Sequence, residues 1–166
     1  MTTSRLLLAL ACLPLLGCPE DPPEEEGVCP AMDAVPGLTM TPNRGDEIAL
    51  VEGGQVPVFY ASQGGIFTEL DVELTGVADD DVEQIRVEFI DTTGRPLATQ
   101  VYFGSGLPLR CNESGTLTIQ ALPVGFDESI GLEELDGSAA RLTAEVTTPD
   151  DTFGLDLALM LVAVDG

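Results

Sequence analysis

Two runs of carboxylates stand out among the side chains that could do chemistry: Asp79-Asp80-Asp81 and Asp150-Asp151. Both lie in turn-like sequence. Calcium takes six to eight oxygen ligands, and extracellular modules hold it weakly. Two such turns at one pole of a domain would make a calcium site, although their spacing matches no EF-hand loop. Solvated turns are the plainer reading. Other chemistry is excluded by composition, because the chain has no His, Lys or Trp and its six basic residues are all Arg. Without His there is no Ser-His-Asp or Cys-His nucleophile system and no imidazole ligand. Without Lys there is no Schiff base and no phosphate-loop lysine. Catalysis would rest on paired carboxylates, as in glycoside hydrolases, and no local pattern selects a pair. Gly104-Ser105-Gly106 lacks a third glycine and a following helix, so it is no dinucleotide loop.

Charge narrows the partners. The 29 acidic residues against 6 basic ones give a net charge of −23. Such a chain repels phosphate backbones, which argues against nucleic acid. It also opposes attachment to an anionic lipid surface through charge. No cofactor is expected, calcium excepted.

The N-terminus bears on compartment. Leu6 to Leu16 is an apolar run after the single cation Arg5, too short to span a bilayer and long enough for a secretory signal core. It ends Leu15-Leu16-Gly17-Cys18, which resembles the lipobox of bacterial lipoproteins. That resemblance implies cleavage after Gly17 and acyl chains on Cys18, hence a membrane partner through a lipid anchor. One acyl chain binds reversibly, whereas two or three hold stably. An ordinary signal peptide with a chance cysteine is the alternative. Pro19, not Asp, follows Cys18; by the same resemblance the protein goes to the outer membrane, facing either the periplasm or the surface. Residues 1–17 are then the signal peptide and 18–28 an acidic, Pro-rich tether. Its Pro19 to Gly27 stretch has no apolar anchor and should be disordered or extended, holding the domain up to roughly 30 Å from the membrane.

Four cysteines are present. On the lipoprotein reading Cys12 leaves with the signal and Cys18 is acylated. Cys29 and Cys111 remain in an oxidising compartment, where a Cys29–Cys111 disulfide is expected. Two free thiols or intermolecular pairing are the alternatives.

The elements that must position these residues read as strands. Period-two alternation marks Ile66 to Leu74, Ile85 to Phe89, Leu97 to Phe103, Leu117 to Ala121 and Ala140 to Val146. Ile48 to Val51 and Val56 to Ser62 add two earlier strands. Leu155 to Val164 is apolar on both faces apart from Asp156, which suggests a strand covered on both sides. Gly64-Gly65 supplies the positive φ of a tight hairpin. One short helical turn fits within Phe126 to Leu135. The expected fold of residues 29–166 is therefore all-β, an antiparallel Greek-key sandwich of about eight strands. Residues 55–77 and 139–165 resemble bacterial lipoproteins with an immunoglobulin-like sandwich, a likeness that implies architecture and no activity.

Two smaller signals remain. Arg44-Gly45-Asp46 spells an integrin-recognition tripeptide, though Gly and Asp suit a turn in their own right. Tyr60, Tyr102 and Phe103 would form a small aromatic patch if they faced outward; strand aromatics more often pack. The expected function is a non-catalytic, membrane-anchored envelope module that binds a protein or glycan or plays a structural part. A calcium-dependent adhesion module and a carboxylate-based hydrolase are the alternatives.

Overall fold

The computed structural model describes residues 34–44, 48–62 and 64–165. The expectations for Cys18, Cys29, the tether, and Gly45 and Asp46 lie outside these residues. Among the described residues the chain is all-β, with nine strands. These are β1 (Gly37–Pro42), β2 (Gln55–Tyr60), β3 (Ile66–Thr75), β4 (Gln84–Asp91), β5 (Pro96–Phe103), β6 (Arg110–Cys111), β7 (Leu117–Gly125), β8 (Ala139–Thr147) and β9 (Thr152–Ala163). One short helix, α1 (Leu132–Leu135), falls inside the stretch where the sequence allows a helical turn.

The strands follow the order β5-β4-β8-β9-β2-β3-β7-β6, with β1 also on β3. This single ladder curls into two facing halves. One half is β5-β4-β8-β9 with the start of β2; the other is the end of β2 with β3, β1, β7 and β6. The connections β3–β4, β5–β6 and β7–β8 each cross between the halves, as Greek-key links do. Strand β2 belongs to both. Gln55 to Val58 pair with Met160 to Ala163 of β9, and Phe59 and Tyr60 pair with Phe67 and Ile66 of β3. The β2–β9 pairing is parallel, so the sheet is mixed rather than purely antiparallel.

Alternation builds the core. Leu70, Val72 and Leu74 of β3 are fully buried, as are Ile85, Val87 and Phe89 of β4 and Leu142, Ala144 and Val146 of β8. The intervening Asp71, Arg86 and Glu145 take the other face. Phe89 meets Phe126 at 5.5 Å between ring centres, an edge-tilted contact. The Gly64-Gly65 hairpin forms as expected, with φ of 88° and 89°.

Several strand readings change. Ile48 to Val51 is not a strand; it makes one backbone bond to β1, Leu50 N–H to Met40 O at 2.8 Å, and one bond does not make a ladder. In its place β1, a short segment bounded by the strand-depleted residues Gly37 and Pro42, pairs residue for residue with β3. β9 is covered on one face only, with Asp156, Ala158 and Met160 exposed. In β5 the apolar set is turned around. Ala98, Gln100 and Tyr102 lie opposite the core residues Phe89, Val87 and Ile85, which sends Val101 and Phe103 outward.

β7 also departs from simple alternation. Leu117 and Ile119 are buried, but so are Leu122 and Val124. Two residues, Gln120 and Ala121, oppose Asp71 alone, and this bulge restores the inward face beyond it. Ala121 adopts φ of 52°, and Asp71 Oδ1 accepts its N–H at 2.7 Å and the Asn43 side-chain amide at 2.9 Å.

Thr68 of β3 is fully buried, and its hydroxyl has no hydrogen-bond partner. An unsatisfied buried hydroxyl costs about 1–3 kcal/mol, while an apolar isostere does not. Thr68→Val should therefore raise stability by about 1 kcal/mol in urea denaturation. A loss of stability would mean that the hydroxyl is solvated in solution.

Candidate functional site

The two acidic turns do meet. β3 ends at one pole, where Asp79–Asp81 forms a 3-10 turn before β4, and the β8–β9 turn carries Asp150 and Asp151. Asp81, Asp150 and Asp151 line one cleft of about 250 Å³, with Pro36, Val77 and Phe153 as apolar walls. The turn sequences explain the placement, since Asp residues open 3-10 and hairpin turns by accepting local N–H groups. Asp80 N–H donates to Asp79 Oδ1 at 3.1 Å, and Thr152 N–H to Asp151 Oδ1 at 2.8 Å. Thr148 N–H donates to Asp151 O at 2.9 Å and closes the β8–β9 turn. Among the described residues no three carboxylates or cysteines converge closely enough to hold a metal ion. Asp79 and Asp80 do not line this cleft.

Other carboxylates are engaged by the fold. Three turns repeat one device. Asp91 Oδ1 accepts from Thr93 N at 2.8 Å, Thr93 Oγ1 at 2.6 Å and Arg95 N at 3.0 Å. Asn112 Oδ1 does the same for Ser114 N, Ser114 Oγ and Thr116 N, and Asp127 Oδ1 for Ser129 N and Oγ. In each turn a side-chain oxygen collects the N–H groups that the ladder leaves open. Arg95 then bridges Asp91 to Glu134 of α1 at 2.5 Å, tying the β4–β5 hairpin to the helix. On the outer face Arg141 of β8 holds Asp156 of β9 through two bonds, one of them Nε to Oδ1 at 2.6 Å. The Arg141 guanidinium keeps the Asp156 carboxyl below its ordinary range, and Ser129 does so for Asp127.

The smaller signals resolve separately. Arg44 lies 3.7 Å from the centre of the Phe59 ring, stacked on it rather than presented as the head of a tripeptide. The Tyr102 hydroxyl donates to the Pro123 carbonyl across the seam between β5 and β7, and burial pushes its pKa up to about 12. Phe103 and Tyr60 are exposed, but Phe103 lies on β5 in one half and Tyr60 at the end of β2 in the other, so the three aromatics make no single patch. Gly104 opens a 3-10 turn; its N–H donates to Glu83 O, and a Cβ there would stand 1.7 Å from Val82 O. Close backbone approach, not phosphate binding, explains that glycine. Cys111 is exposed on β6.

No protein-family model matches the chain, and no curated protein is similar to it. Among solved structures, the CooA pilin subunit from enterotoxigenic Escherichia coli is similar at 13% identity. The match covers 77% of this chain and 99% of that one, with a TM-score of 0.35.

Asp91 yields a prediction. The Thr93 hydroxyl, the Arg95 amide and the other donors lower its pKa from 3.8 to about 2. A lowered carboxyl stabilises the fold above its unfolded value and loses that contribution as pH falls through its folded value. Stability should fall between about pH 4 and pH 2, and Asp91→Asn should flatten that part of the profile while lowering the melting temperature at neutral pH. Parallel profiles for both proteins would show that Asp91 does not carry the acid transition.

Proposed function

We propose that this protein is a non-catalytic envelope lipoprotein, held at a membrane by acyl chains on Cys18 and acting as a binding or structural module. The observation that carries the reading is the Leu15-Leu16-Gly17-Cys18 sequence after an apolar run too short to span a bilayer. The described domain is compatible with it. The carboxylates with the strongest interactions, Asp91, Asp127 and Asp156, serve turns and an Arg pair. Groups so engaged are poor acids and bases near neutral pH. Among the described residues no helix is long and apolar enough to cross a membrane. The Cys29–Cys111 disulfide belongs to the same reading, because an oxidising compartment favours it. It would fasten the start of the domain to β6.

The anchor is tested by Cys18→Ser in the native host. The wild-type protein should fractionate with membranes and the variant should wash free in buffer. A variant that stays with membranes would refute acylation as the anchor.

A calcium-binding module is the second reading: Asp81, Asp150 and Asp151 line one cleft without converging on one point, so main-chain and water oxygens would have to complete the six to eight ligands. A ligand that binds only the native state raises its melting temperature. Millimolar calcium should then raise the melting temperature of the wild type, and Asp81→Asn with Asp150→Asn should abolish the rise. An unchanged wild type would remove this reading.

A further inference from the structure

The two ends of the strand ladder are finished differently. At one end β6 is two residues long and carries Arg110, and the stretch of β7 beyond it holds the Ala121 bulge and Pro123. Short strands, charges, bulges and prolines all discourage a further strand from pairing. At the other end β5 is eight residues long and has no charged side chain. Its one proline, Pro96, is its first residue, and its register shift lies at that same end, opposite Phe89 and Ile90.

The register with β4 fixes which main-chain groups of β5 are free. In an antiparallel pair, bonded and non-bonded residue pairs alternate. Gly104 N–H donates to Glu83 O at 2.8 Å, one step past the Gln84–Phe103 pair. The bonded pairs are therefore Ile85–Tyr102, Val87–Gln100 and Phe89–Ala98. Thr99, Val101 and Phe103 turn their N–H and C=O groups the other way, where no described residue bonds them. Leu97 turns outward too, but Asp127 N–H already occupies its carbonyl. The open edge is thus residues 99–103. Val101 is 37% exposed and Phe103 65%. An exposed, uncharged edge with apolar side chains is a template for strand addition.

We propose that a second copy of this chain pairs at this edge, β5 antiparallel to β5 about a two-fold axis at Val101. Parity fits this symmetry. Setting Val101 opposite Val101 sets Thr99 opposite Phe103, so every outward N–H and C=O of both copies falls in a bonded pair. The side chains agree, because aromatic and β-branched residues make favourable cross-strand pairs. Net charge is −23, yet little of it lies here: Arg86 and Glu88 of β4 pair with each other at 3.3 Å. The two copies of Arg86 would stand three strand spacings apart, about 14 Å, beyond the screening length of about 8 Å at physiological salt. The contact is closed, since the Gly104–Gly106 turn ends the strand on one side and Asp127 blocks it on the other. One strand pair buries less than the roughly 1,200 Å² of a stable interface, which makes the dimer weak and reversible.

The test uses the full chain in nonionic detergent, which suits it with or without acyl chains on Cys18. Under mild oxidation Val101→Cys should form a disulfide-linked dimer that the wild type does not. Phe103→Cys alone should not link, but mixed with Thr99→Cys it should, because the register places those two positions together. In density-matched sedimentation equilibrium, from about 10 µM to 1 mM, the wild type should dimerise reversibly. Val101→Lys sets like charges opposite each other and should weaken the dimer about tenfold or more, with an unchanged melting temperature. Thr92→Lys, the same charge change at an exposed hairpin position, should leave it intact. No linkage through Val101→Cys, linkage of Phe103→Cys alone as strong as in the mixture, or a dimer that Val101→Lys leaves intact would overturn the proposal.

Discussion

Buried backbone N–H and C=O groups must be paired, and in this fold that requirement falls most heavily on β2. Its first four residues bond to β9 and its last two to β3. The hand-over occurs between Val58 and Phe59, consecutive residues that are both buried because the strand changes the sheet it serves there. Without this shared strand the two halves would be separate sheets with open edges. With it the ladder curls, and Met40, Leu70 and Leu74 come to face Val87, Leu142 and Leu161 in one core. The opposite side closes differently. β5 and β7 do not pair; Asp127 N–H donates to Leu97 O, and Tyr102 reaches Pro123, whose own nitrogen has no hydrogen to give. A proline on that edge also blunts it against pairing with other chains.

The same backbone accounting explains where the acidity goes. Few carboxylates can enter a core this apolar, and the most ordered ones sit where strands end and N–H groups fall open. Asp91, Asp127 and Asp71 each accept main-chain N–H groups, Asp71 at a bulge and the others at turns. Exposed Arg–carboxylate pairs such as Arg86–Glu88 add little stability by themselves. Acidity in this domain is therefore partly architectural, and an excess of Asp is a poor guide to chemistry. The pole that unites Asp81 with Asp150 and Asp151 is the exception worth testing, because there the turns bring together carboxylates that are remote in sequence.

Much of the fold was legible where the pattern was strict. β3, β4 and β8 alternate without interruption, and their buried faces follow from period two. The Gly64-Gly65 hairpin was equally plain, whereas the stretch before β8 read as a loop with room for one helical turn. The rest failed for identifiable reasons. β1 is six residues long with Gly and Pro at its ends, which hid it, and it forms because β3 offers it a complete register. Ile48 to Val51 has good propensity and no partner ladder. In β5 both faces carry apolar residues, so composition could not choose between them; pairing with β4 did. In β7 the inward residues run 117, 119, 122, 124, and that change of parity was a readable sign of the bulge.

By itself the sequence determined the class of the fold, the positions of most strands, the absence of His and Lys chemistry, and the lipobox-like stretch at residues 15–18. All of these are local properties, set by alternation over five to ten residues, by composition, or by a short run of letters. Tertiary structure alone decided that β2 runs parallel to β9, that β5 turns Phe103 outward, that Ala121 takes a left-handed conformation, and that Arg44 lies against Phe59. Each depends on which backbone ladders meet across long stretches of chain. Glu52 illustrates the distance involved, accepting the Ala158 N–H from 106 residues away. Ladder hydrogen bonds are nearly alike whatever side chains they join, so the partner is chosen by the packing of the whole core and not by any one segment.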